Sequence, residues 1–273
     1  MKEKVFGKSY RAIYKRIDGL FYKFVLINMM ITTLIIAFKE PLDFLFIMWV
    51  LLSSALIQVV LYFYGVFSPQ SRLLVDVVQG KDFLGQKNAI LFRFDDGPDP
   101  KYTLTILDIL KEHKIQAVFA VTGERAEKYP HIIERMGDEN HIITNHSYSH
   151  SYLISLFSYK KLLREIQRTN DIIHKITGKW PEYYCPPMGH KNMALRKVLK
   201  HTGQKVLGWD IRTYDTKRST HEIVNRVQKH MRSPAIILFH DGVFKWTKED
   251  CQSTVESLKE LIQIFKSKGY TIN

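Results

Sequence analysis

From Phe44 to Phe67 the chain carries no charged side chain, and its most polar residue is Gln58. About 20 apolar residues cross a bilayer core as a helix, the one single-segment fold that satisfies its own backbone there. Phe44 to Phe67 is the second such run in chain order; the first, Phe21 to Phe38, holds a single charge, Lys23, and is just long enough for the same purpose. Lys39-Glu40-Pro41-Leu42-Asp43 between them is a charged turn with a proline, suited to a tight helical hairpin. The first run is long for a secretory signal peptide, and no small-x-small cleavage pattern follows it. Residues 1–70 therefore read as a membrane anchor of two transmembrane helices, a multi-pass insertion in the cell (inner) membrane.

Charge placement sets the expected topology. Lys2, Lys4, Lys8, Arg11, Lys15, Arg16 and, just inside the first run, Lys23 outweigh Glu3 and Asp18, which marks that end as cytoplasmic. Two spans then return residues 71 onward to the cytoplasm; if the second run alone crosses, they face outward. The net charge of +13 adds attraction to anionic lipid. No nucleic-acid motif accompanies the scattered lysines, so nucleic acid is not an expected partner. Cys185 and Cys251 are too few for a disulfide framework.

After Ser68-Pro69 the pattern changes to short apolar runs between amphipathic stretches. Strands are expected at Ala89–Phe94, Ala117–Val121, His141–Thr144, Tyr183–Cys185, Lys205–Trp209, Ala235–Phe239 and Tyr270–Ile272. Helices are expected at Tyr159–Thr177, closed by Gly178, and at Cys251–Lys268, ended by Gly269. The division is then an anchor over 1–70, a linker over 71–88 and one domain over 89–273. Strand–helix alternation argues for a parallel α/β domain, and an open sheet and a closed barrel fit it equally well.

The chemistry-bearing residues fall at the ends of these strands: Asp95 and Asp96, His146 and His150, Pro186 and Pro187, Asp210 to Asp215, then His240 and Asp241. Parallel sheets and barrels place their sites there. Adjacent carboxylates repel, so Asp95-Asp96 is cheap to keep only beside a cation. Histidines four apart, as in His146-Ser-Tyr-Ser-His150, can present two imidazoles on one side of a helical turn. Joined to a carboxylate they make a three-ligand metal site with a position open to water. His240, at the tip of an apolar strand, can act as a general acid.

Phe-Asp-Asp-Gly-Pro, His-Ser-x-x-His, Pro-Pro-x-Gly, a Trp-centred strand with a following Asp, and Leu-x-His-Asp occur in that order. The set resembles the polysaccharide deacetylase family with the NodB-homology domain (carbohydrate esterase family 4), over about Ala89 to Ile272. The resemblance implies a distorted (β/α)7 barrel behind the transmembrane hairpin. It implies hydrolysis of the N-acetyl group of an amino sugar by a divalent metal, by default Zn2+, with Co2+ or another ion as substitutes. Asp95 takes the part of general base, Asp96, His146 and His150 of metal ligands, and His240 of general acid. Asp215 matches the acidic residue that supports the histidine. Leu238 matches the acyl-methyl pocket, and Pro187, Met188 and Trp209 the substrate side, with backbone amides near Pro187 and Met188 holding the oxyanion.

The chain departs from the family where an arginine that orients the base precedes the paired prolines; Cys185 stands there instead. Residues 93 and 95 share one face of a strand, so Arg93 is expected to supply that guanidinium, with Arg212 as a second candidate. With a cytoplasmic domain the expected partners are membrane lipid and a polyprenyl-linked sugar; with an outward one, an N-acetylated glycan such as peptidoglycan. A sugar N-deformylase, or an impaired carbohydrate-binding or scaffold protein silenced at Cys185, are the alternatives.

Overall fold

The structure is a computed structural model that describes residues 44–243 and 250–273. The described chain divides at Val66 and Phe67 into two compact units. The first ends in α1, Phe44–Phe67, apolar all round, with a mean hydropathy of 2.4 in its most apolar window. At 24 residues and about 1.5 Å per residue it is longer than a bilayer core of about 30 Å. Among the described residues it is the one helix long and apolar enough to cross a membrane. The other expected span, Phe21 to Phe38, lies outside the described residues, and so does the hairpin built on it.

The second unit alternates strands and helices. In chain order they are β1 (Val77–Val78), α2 (Gly80–Phe83), β2 (Ala89–Asp95), α3 (Tyr102–His113), β3 (Val118–Val121), α4 (Gly123–Lys128), α5 (Pro130–Asp138) and β4 (Ile142–Asn145). There follow α6 (Tyr159–Thr177), β5 (Tyr183–Tyr184), α7 (Met193–Thr202), β6 (Lys205–Leu207), β7 (Ile211–Arg212), α8 (Thr220–His230), β8 (Ala235–His240), α9 (Gln252–Ser267) and β9 (Thr271–Ile272). Local chemistry sets the ends. In α6 the Ser158 hydroxyl accepts the Lys161 N–H, and Gly178 takes the left-handed cap at φ 70°. Between these caps Leu162, Ile166 and Ile173 form the buried stripe.

All strand pairs are parallel, in the order β1-β6-β5-β4-β3-β2-β8-β7, with β9 beside the start of β2. Along β2, Ile90, Phe92 and Phe94 pack outward beneath the helices, in the largest core cluster. Leu91 points inward, to a second core with Val118, Ala120, Cys185, Leu207, Trp209, Ile236 and Leu238. Three strands separate β2 from β6, at roughly 4.8 Å each in a flat sheet. Arg93 of β2 nevertheless donates to the Leu207 carbonyl across 2.7 Å. The sheet is therefore curled into a half-barrel with a packed interior, and the site residues share the carboxyl end of its strands.

Two strands of this sheet were absent from the sequence reading. Val77–Val78 falls within the stretch read as linker, and Ile211–Arg212 follows the Trp209 strand. At two residues each, neither shows a period of its own, and it is pairing with β6 and β8 that makes them strands.

Candidate active site

Asp95 closes β2 with its side chain turned inward. Arg93, two residues earlier on the same face, donates from Nε to Oδ1 and from an Nη to Oδ2, both at 2.7 Å. Its remaining donors reach the Leu207 and Gly208 carbonyls at 2.7 and 3.2 Å, and its guanidinium lies 5.3 Å from the Trp209 ring centre. Arg93 is fully buried, yet its guanidinium is held above its ordinary range: burial opposes the charge, and the carboxylate of Asp95 outweighs it. The other candidate, Arg212, stacks on Tyr214 instead. Cys185 is wholly buried with its sulfur 3.2 Å from the Thr144 hydroxyl, and burial pushes its thiol up to about 11. It is a packed, protonated thiol.

Asp96, His146 and His150 converge. Both Nε2 atoms lie 3.1 Å from Asp96 Oδ1, and one ligand atom from each residue falls within 4.8 Å of the others. The His146 Nδ1 lies 2.6 Å from the Cys185 carbonyl, which can only accept, so Nδ1 carries the proton. In the neutral ring Nε2 then presents a lone pair to a carboxylate oxygen, an arrangement that a cation between them stabilises. Asp96 Oδ1 is buried and makes no hydrogen bond of good geometry. Its carboxyl is held well below the ordinary range: burial works against this, and His150 and His146 more than offset it. Two imidazole nitrogens and one carboxylate oxygen suit zinc or cobalt.

The two histidines are not on a helical turn. They lie on a loop after β4 in which Ser147 and His150 take left-handed backbone, φ 64° and 48°, as does Asp96 at 76°. Such angles are costly for residues other than glycine and persist where surroundings hold them. Here Asn145 Oδ1 accepts the Ser147 N–H, and Glu165 of α6 accepts the N–H groups of Tyr148 and Ser149. Below Asp96, Asp241 accepts from the Gly97 N–H and the Thr103 hydroxyl, and burial pushes its carboxyl up to about 7. A Cβ on Gly97 would come within 2.1 Å of that carboxylate, so only glycine fits. Glu165 and Asp241 have no sequence signal as supports, because a polar residue fifteen or more positions from its partner leaves no local pattern; Asn145, two residues before Ser147, is a local support that the His-x-x-x-His spacing does not include.

His240 ends β8, in register with Asp95 on the neighbouring strand. Its Nδ1 lies 2.8 Å from Asp215 Oδ1, and its backbone N–H donates to Oδ2 at 2.7 Å. Thr213 and Thr254 complete the hydrogen bonding of this fully buried carboxylate. Burial would depress the imidazole, but Asp215 outweighs it and raises His240 to about 9. Asp215 is correspondingly lowered. Leu238 and Trp209 line the interior beside Arg93. Pro187 and Met188 form the rim after β5, Met188 at φ 56°.

The polysaccharide deacetylase family matches residues 85–207. A peptidoglycan-N-acetylglucosamine deacetylase of Bacillus cereus is 33% identical over 187 residues, covering 67% of this chain and 65% of that protein. The crystal structure of a peptidoglycan N-acetylglucosamine deacetylase superposes with a TM-score of 0.63 and 31% identity, over 71% of this chain and 88% of that one.

This chain belongs to the polysaccharide deacetylase family.

The peptidoglycan-N-acetylmuramic acid deacetylase PdaC of Bacillus subtilis is 36% identical over 187 residues, 68% of this chain and 38% of that protein. The deacetylase-family chain thus spans 65% and 38% of the lengths of these two curated relatives. Asp215, Leu238 and His240 lie beyond the residues of the family match, and it is the fold that brings them beside Asp95. In this deacetylase-family chain Arg93 grips the Asp95 carboxylate, and Cys185 is packed against Thr144.

Proposed function

We propose that this chain hydrolyses the N-acetyl group of an amino sugar in a peptidoglycan- or chitin-like glycan, using a divalent metal, zinc by default. The observation that carries the reading is the pairing of Asp95 with His240 across adjacent strands, beside the Asp96–His146–His150 cluster. One carboxylate and one imidazolium on opposite sides of an amide are the base and acid that its hydrolysis needs.

Asp96, His146 and His150 would hold the cation, which when bound acidifies water and polarises a carbonyl. Asp95, both oxygens oriented by Arg93, accepts the proton of the attacking water. His240 carries its proton on Nε2 for the departing nitrogen, and Asp215 stabilises the imidazolium that gives it up. Leu238 and Trp209 offer an apolar wall for the acyl methyl. Pro187 has no N–H, so of the rim pair Met188 alone can donate to the developing oxyanion.

The helix α1 is the reading's membrane anchor. As a single span behind the basic N-terminal residues it places the domain outside. With residues 21–38 as a second span the domain faces the cytoplasm and a polyprenyl-linked sugar. The substrates named for the relatives favour the outer side. Fusion to reporters active on one side of the membrane decides it.

Acetate release by the detergent-solubilised chain with added zinc or cobalt tests the chemistry. The substrates are a chitin oligomer, a peptidoglycan fragment and a polyprenyl-linked N-acetylhexosamine, with Asp95→Asn as control. Metal-dependent release that the control lacks supports the reading. Formate from N-formylated analogues alone makes it a deformylase. Binding of glycan without turnover of any substrate makes it the silenced carbohydrate-binding or scaffold protein.

A further inference from the structure

The segment leaving α1 is fastened to the rim of the candidate site. The buried Lys191 ammonium donates to the Ser68 and Pro69 carbonyls at 2.7 and 3.0 Å. Phe67 meets the His190 ring edge-on, centres 4.9 Å apart. Pro69 fills the space a side chain on Gly189 would need, its Cβ 2.6 Å from that position. Gly189 follows Met188 on the rim. A residue extends the chain by at most about 3.6 Å, so the surface around Lys191 stays close to wherever α1 leaves a bilayer.

Around this point the surface is apolar and basic at once. Tyr152, Leu153, Leu156 and Met193 are 58%, 61%, 77% and 65% exposed. They form one neighbourhood, because the Asn192 amide donates to the Ile154 and Phe157 carbonyls at 3.3 and 3.0 Å. Lys160, Lys161, Arg164, Lys197 and Lys200 are exposed on the helices that follow. Neither Ser151–Arg164 nor His190–Trp209 contains an aspartate or glutamate. Large apolar tips beside a basic collar are costly in water and complementary to anionic lipid: the tips enter the headgroup boundary and the cations meet phosphates.

We propose that Tyr152, Leu153, Leu156 and Met193, with this collar, seat the domain on an anionic bilayer. The proposal rests on reading α1 as a membrane span. Tyr152 stands 6.4 Å from the His150 ring, edge-on, so the seat and the candidate site share a rim. The substrate class that follows is a glycan held at the bilayer surface, not a polymer remote from it.

The test uses the full chain in liposomes of phosphatidylcholine with or without phosphatidylglycerol, their acyl chains brominated. A fluorophore is placed by Leu156→Cys or, at the other end of the sheet, Lys179→Cys; Cys185 and Cys251 are buried. Quenching at position 156 at least twice that at 179, and stronger with phosphatidylglycerol, is expected. Equal quenching in chain that floats with the vesicles overturns the seat alone. Chain that does not float overturns the anchor reading and the seat with it. Leu156→Asp with Met193→Asp should cut acetate release from a membrane-held glycan at least fivefold and leave a soluble chitin oligomer unaffected. A parallel fall on both substrates would make the patch a sugar site and refute the lipid assignment.

Discussion

Replacing Arg93 by methionine keeps an unbranched apolar stem and removes every polar contact. The Asp95 side chain is 5% exposed, and its partner none, so no water replaces the lost donors. Removing one member of a buried ion pair strands the other and costs about 3–5 kcal/mol. Over a domain of this size 1 kcal/mol moves the melting temperature by about 2–4 °C, so Arg93→Met should melt roughly 6–20 °C lower. Adding Asp95→Asn removes the stranded charge and should recover about half of that loss, whereas two independent sites would simply add. Arg93→Lys separates orientation from charge, since an ammonium cannot grip both oxygens as the planar fork does. It should lose less stability and still cut turnover more than tenfold, about 1.4 kcal/mol in the barrier. Calorimetry on the full chain in detergent, with acetate release, reads both. Melting within about 2 °C of wild type together with near-normal turnover would refute the role given to Arg93.

Three further outcomes follow from the geometry. His240 is raised to about 9 in the folded chain against about 6.5 unfolded, so its pair with Asp215 stabilises fully below pH 6.5. That stabilisation is lost as pH rises through about 9, and Asp215→Asn should draw the basic limb of the turnover profile down by more than one pH unit; an unmoved limb refutes the pairing. Gly97→Ala drives a methyl into the Asp241 carboxylate and should destabilise by about 1–3 kcal/mol and misplace Asp96, seen as a lower melting temperature and weaker zinc retention. Cys185→Arg restores the family residue in a site with no room beside Arg93, and should lower both melting temperature and acetate release instead of raising them.

The local patterns are legible in the sequence. Helix α6 runs from Tyr159 to Thr177 as its stripe and Gly178 dictate, and the longer strands lie where the apolar runs lie. Asp95, Asp96, His146, His150 and His240 are visible in the sequence because each ends a strand or lies in the loop that follows one, and parallel strands gather such ends. The residues that support them were hidden for the opposite reason. Asp241 under Gly97, Glu165 under the histidine loop and Thr254 on Asp215 act across long separations in sequence, where no spacing rule reaches. The histidines four apart lie on a loop instead of a helical turn: Asn145 from nearby and Glu165 from α6 hold positive-φ residues in a loop that four-residue spacing cannot distinguish from a helix.

The amino-acid order by itself determined the apolar run Phe44 to Phe67, the alternation of strands and helices, and the stock of carboxylates and imidazoles. Each is a property of consecutive residues. Only the tertiary structure decided that the sheet curls, because that depends on β6 coming back toward β2 so that Arg93 can reach Leu207 across the interior. The same curl brings the Leu207 and Gly208 carbonyls to the far side of Arg93, and the fold ties the segment after α1 to Lys191 at the rim of the site. Contacts between residues a hundred or more positions apart are settled by packing, and packing is a property of the whole fold.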